Sequence, residues 1–143
     1  MASRDYLIRQ FEEMGFFLAS LLRKALKMKE DNQQEQAEAT VKEELMQELK
    51  LDIGQVVMLE NQEFLTLIKS CLTSEDQMEK LADILYVLGQ DLNLSFSLTK
   101  ANYLRKSLFL FSYLQENSPV FSYERRTKML SIQDILRLKG LTD

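Results

Sequence analysis

Leu7, Phe11, Met14, Leu18, Leu21, Ala25 and Met28 recur at alternating steps of four and three residues, an apolar seam running through three heptads. Steps of this size return each side chain to one side of a helix, so the seam predicts a long helix over 4–30. Ile8, Phe17 and Leu22 form a second apolar line that widens the face beyond a coiled-coil stripe. A face of that width predicts packing against more than one neighbour. Ser3 is placed to cap this helix, although Tyr6 stands where a capping box wants Glu or Gln.

The remaining periodicities are shorter but of the same kind. Lys29 to Gln36 is wholly polar, and Asn32 with Glu35 reads as the start of a second helix carrying Ala37, Val41, Leu45 and Leu49. So short a turn predicts an antiparallel hairpin over 4–50. Gly54 suits a left-handed position at its end, and 55–60 has room for one helical turn. Asn61 reads as the cap of a short helix over 61–72, through Phe64, Leu65, Ile68 and Leu72. Ser74 and Gln77, in capping-box relation, open a helix through Met78, Leu81, Ala82, Leu85 and Leu88. Leu92 to Leu98 alternates apolar and polar like a strand, but a lone strand has no partner, so it is read as a connection. Ser97 or Thr99 then begins a helix through Ala101, Leu104, Leu108, Phe111 and Leu114, stopped at Asn117-Ser118-Pro119. The second hairpin spans 75–117. Ser122 caps a last helix over 123–139, carrying Met129, Ile132, Ile135 and Leu136 and closed by Gly140. The expectation is one all-α domain over 1–143, built of stacked antiparallel helical hairpins, with five longer helices and one short one.

Both hairpins carry small residues at matching places. Leu21, Ala25 and Ala37 are repeated 64 residues later by Leu85, Gly89 and Ala101. Small residues at facing points let two helix backbones approach, and in this the hairpins resemble degenerate tetratricopeptide repeats. The family's second-helix aromatic is replaced here by Val41 and Arg105, its next small residue by Glu44 and Leu108, and its closing proline is missing. The chain as a whole also resembles uncharacterised bacterial helical proteins with repeats of this type. The resemblance implies a right-handed stack of helix pairs whose inner groove holds a peptide or another protein. It implies no chemistry.

Composition removes most catalytic options. There is no histidine, which is the usual general base near neutral pH and the commonest metal ligand. Cys71 is the only cysteine, so no disulfide within the chain or cysteine zinc site can form; its apolar surroundings predict a buried small hydrophobe. The four glycines are isolated, which leaves no phosphate-cradling loop. The carboxylate pairs Glu12-Glu13, Glu43-Glu44 and Glu75-Asp76 diverge by about 100° on a helix and so read as solvated faces. Net charge is −4, which argues against nucleic-acid binding. Met14 to Leu22 is apolar but only nine residues long and preceded by charges, so neither a secretion signal nor a membrane span is expected, and a cytoplasmic location is. No enzyme activity, cofactor or metal is expected.

Two places stand out as partner surfaces. The helix through 99–117 is apolar nearly all round, with Phe109 and Tyr113 forming a second face and Tyr103 and Arg105 beside it. Such a helix is either central in a stack or shared with a partner. The start of the last helix carries Tyr123, Arg125 and Arg126, basic groups that oppose its dipole and so suit docking to an acidic partner. These seven residues are the candidate binding set of a non-enzymatic interaction module for a protein, a peptide or a second copy of the chain. The alternative is a small-molecule-binding regulator with a pocket between apolar helices such as 4–29 and 99–117.

Overall fold

The computed structural model describes residues 2–90 and 97–141, with side chains from Arg4 onward. Among these the chain forms seven helices and no strand: α1 (Ala2–Glu30), α2 (Gln34–Leu49), α3 (Ile53–Val56), α4 (Asn61–Cys71), α5 (Glu75–Gly89), α6 (Leu98–Asn117) and α7 (Tyr123–Leu138). The additional one is α3, a single turn. No described helix is long and apolar enough to cross a membrane.

The serine caps form as their spacing requires. Ser74 Oγ accepts from Gln77 N at 3.1 Å, Ser97 Oγ from Lys100 N at 3.3 Å, and Ser122 Oγ from Arg125 N at 3.2 Å. Each satisfies an amide that the first helical turn leaves unpaired. Three other end signals are corrected. Asn32 does not cap α2; it closes α1 in the left-handed region (φ 59°), with Gln33 N bonded back to Met28 O at 2.7 Å. Gly54 lies inside α3, and the left-handed residue after α2 is Lys50 (φ 57°), beside Leu51 N donating to Leu45 O. Asn61 is the first residue of α4 rather than its cap, and its side chain serves Lys106 instead. Gly140 does adopt positive φ (69°) at the end of α7. The side chain of Ser3 and most of the Leu92–Leu98 alternation lie outside the described residues.

Cross-links between helices fix their directions. Gln77 Nε2 donates to Phe11 O at 3.2 Å and Lys29 Nζ to Gln90 Oε1 at 2.6 Å, so α1 and α5 run parallel. Glu79–Arg125, Asp83–Lys128 and Tyr86–Ser131 step along α5 and α7 in the same direction, which makes those two parallel as well. Between them in sequence, α6 returns antiparallel on α5, with Ser107 Oγ donating to Ala82 O at 2.7 Å. On the α1–α2 hairpin, Lys24 meets Glu44 at 3.0 Å, and Tyr103 of α6 reaches Glu38 of α2 at 2.8 Å. The pair α5–α6 is the centre. Leu81, Ala82, Ile84 and Leu85 on one helix and Ala101, Tyr103, Leu104, Leu110, Phe111 and Leu114 on the other are wholly buried.

This central crossing depends on Gly89. A Cβ there would lie 2.5 Å from Leu104 Cγ and 3.0 Å from the Lys100 carbonyl oxygen, both on α6. Gly15, in the middle of α1, has nothing within 4 Å of the same position. Gly89→Ala is therefore expected to destabilise the fold by about 1–3 kcal/mol through overpacking. Gly15→Ala should stabilise it by roughly 0.5–1 kcal/mol through helix propensity alone. Urea denaturation of the two variants checks this: shifts of the same sign would contradict the crossing described.

Candidate functional site

The seven residues singled out in the sequence do not meet on one surface. Tyr103 is fully buried, and its hydroxyl donates to Glu38; burial and that carboxylate both push the phenol well above its ordinary pKa. Arg125 is buried too, with Nε and Nη2 on the Glu79 carboxylate (2.6 Å at the shortest) and Nη1 on Gln115 Oε1 at 2.8 Å. Both are internal ties, so they are corrected as contact surface. Their amphipathic side chains suited an interface, and the interface they serve lies between helices of the same chain. Tyr123 is 80% exposed, its ring edge against Phe121, and Arg126 is exposed beside it. Cys71 is half-buried next to Ser70 rather than a core residue.

Arg105, Phe109 and Tyr113 share the side of α6 that faces α4. Phe109 packs edge-on against Phe64 (centroids 6.2 Å apart), and Lys69 Nζ sits 4.8 Å from the Tyr113 ring. With α7 these helices enclose a cleft of about 500 Å³. Arg105, Lys106 and Asn61 line one part of it, and Leu108, Phe109 and Leu136 another. Lys106 Nζ donates to Asn61 Oδ1 at 2.8 Å and lies 5.6 Å from the Phe64 ring centre. Burial lowers the Lys106 pKa, the neighbouring Arg105 lowers it further, and Glu60 opposes them. Arg105 Nη2 donates to the Leu141 carbonyl at 3.0 Å, while its Nε is buried with no hydrogen-bond partner. The cleft is not where an apolar pocket was expected, because α5 packs against both α1 and α6. Lys106 gave no sequence signal: only the fold turns it inward.

A second surface lies at the start of α1. The seam is buried at Leu18, Leu21 and Ala25 but not at its beginning, where Leu7 is 63% and Phe11 47% exposed, with Tyr6 and Ile8 exposed beside them. The reason is one of length. Gln77, in the first turn of α5, is level with Phe11, so the residues of α1 before it run past the helix that covers the rest. Residues 2–10 extend about 13 Å at the rise of an α-helix.

No group of three or more metal-ligating side chains occurs among the described residues. What the cleft can do is bind, through donors of positive charge next to an apolar wall. Compared with protein-family models, curated proteins and solved structures, the chain finds no match in any of the three.

The reassignment of Arg125 has an energetic consequence. Glu79→Ala would leave a buried guanidinium without its carboxylate, which is expected to cost about 3 kcal/mol. Glu44→Ala breaks only the exposed pair with Lys24 and should cost below about 1 kcal/mol. Equal losses on urea denaturation would return Arg125 to the surface.

Proposed function

We propose that the chain is a non-enzymatic helical interaction module whose docking surface is the projecting start of α1, and that a second copy of the chain docks there. The observation that carries this is the change of exposure along one continuous seam. Leu18 and Leu21 are covered by the chain's own helices, while Leu7 and Phe11 on the same seam are not. Large apolar side chains in a row are costly to leave in water and mark association surfaces.

A second copy satisfies the surface by symmetry. Two projecting helices crossed antiparallel set Leu7 of each against Phe11 of the other, the self-complementary contact of a two-fold interface. Few turns take part, so the interface is small and the dimer belongs to the weak, concentration-dependent class. The parallel register of α1, α5 and α7, with α2 and α6 returning between them, supports the reading of the chain as stacked hairpins of the tetratricopeptide-like kind. In such a scaffold function resides in surfaces.

Sedimentation velocity over a range of concentrations tests the proposal. The expected result is a monomer–dimer equilibrium in the wild-type chain that Leu7→Glu and Phe11→Glu abolish, each with unchanged helical circular dichroism and a thermal midpoint within a few degrees. A wild-type chain that stays monomeric at high concentration, or a dimer that both variants keep, would reject it.

A further inference from the structure

We propose that the cleft between α4, α6 and α7 is a binding site for a small organic anion, a carboxylate or phosphate group carried on an apolar body, held by Arg105 and Lys106.

The charge balance of the cleft points this way. Between α5 and α7 the two inward-facing cations are matched by carboxylates: Arg125 holds Glu79 at 2.6 Å, and Lys128 holds Asp83 at 2.6 Å. Arg105 and Lys106 are consecutive, both line the cleft, and their hydrogen-bond partners are the neutral oxygens of Leu141 and Asn61. Lys106 is buried, so its charge loses hydration, and the adjacent Arg105 adds repulsion that Glu60 offsets only in part. An anion in the cleft that both side chains line is attracted by both charges. The Lys106 ammonium feels this strain directly, since burial and Arg105 both act to lower its pKa.

The hydrogen-bond inventory gives the second argument. Arg105 Nε is buried and unpartnered, and an unsatisfied buried donor costs on the order of 1–3 kcal/mol. In guanidinium geometry Nε–H and the neighbouring Nη–H form a planar fork that fits two oxygens of a carboxylate or phosphate. Here one guanidinium donor is held by the Leu141 carbonyl, one residue beyond Gly140 with its positive φ. The bound anion takes the place of that carbonyl and reaches Nε as Leu141 moves aside. The third argument is the wall. Leu108, Phe109 and Leu136 lie beside the cations, so a bare inorganic ion would leave most of the cleft unfilled.

Isothermal titration of the full chain with sodium octanoate, phenyl phosphate, inorganic phosphate and octanol tests this, with all ligands below their aggregation limits. The expected result is saturable binding at one site for octanoate or phenyl phosphate, the tighter of the two identifying the head group. Inorganic phosphate and octanol, each carrying half of the recognition, should bind at least about tenfold more weakly. Arg105→Gln should weaken the organic anion by about tenfold or more, and Arg105→Lys should fail to restore it because it lacks the fork. Lys106→Met gives a second, independent loss, with circular dichroism confirming that each variant is folded. Absence of saturable binding, octanol binding as well as octanoate, inorganic phosphate binding as well as phenyl phosphate, or an unchanged affinity in Arg105→Gln would each overturn the proposal.

Discussion

The close crossing of α5 and α6 at Gly89 is the contact on which the remaining architecture rests. With a hydrogen atom in place of a side chain, the Leu104 side chain and the Lys100 carbonyl come within reach of the α5 backbone. The two helices form the most extensive contact of the chain, with α1 packed on α5 and α7 on α6, while α2 lies mainly on α1 and α3 on α2. Three ties position those outer helices: Gln77 to Phe11 for α1, Tyr103 to Glu38 for α2, and Arg125 between Glu79 and Gln115 for α7. Polar ties of this sort add direction to a hydrophobic contact that by itself has none.

The same geometry separates what is covered from what is left open. Because α5 begins level with Phe11, the apolar side chains in the first turns of α1 stay exposed, although they repeat the pattern of those that are covered. Because α7 is held to α5 by paired charges, its far end and α4 form the walls of a cleft over α6, and the two cations at positions 105 and 106 line it with neutral hydrogen-bond partners, Glu60 being the carboxylate that acts on Lys106. Both candidate surfaces are thus consequences of how the core packs. They differ in chemistry. One is apolar and convex, suited to a helix of another chain; the other is concave and positively charged, suited to a small anion.

Much of this was legible in the sequence at the level of the single helix. Ser74, Ser97 and Ser122 cap where their spacing places them, and the small residue Gly89 lies at a close approach, as its place in the hairpin suggested. What periodicity cannot supply is the neighbour. The seam of α1 reads identically at Leu7 and at Leu21, and only the start of α5 decides which of them is covered. Tyr103 and Arg125 have the composition of interface residues, yet Glu38 and Glu79, 65 and 46 residues away, hold them inside. Asn32 suits either the cap of α2 or a left-handed end of α1, and the sequence does not say which; Lys50 at φ 57° carries no such signal at all. Arg105 and Phe109 were singled out and do share a cleft, but Lys106 and Asn61, which complete its polar side, carry no periodic or motif signal.

One helix, α1, is divided between the core of its own chain and an exposed apolar start, the surface proposed to dock a second copy. Amide hydrogen exchange along α1, followed at low and at high protein concentration, tests it most directly. Slow exchange over 14–30 under both conditions is expected, together with fast exchange over 4–13 in dilute solution that slows as concentration rises. Protection over 4–13 that is already complete in dilute solution, or that never changes with concentration, would contradict the account.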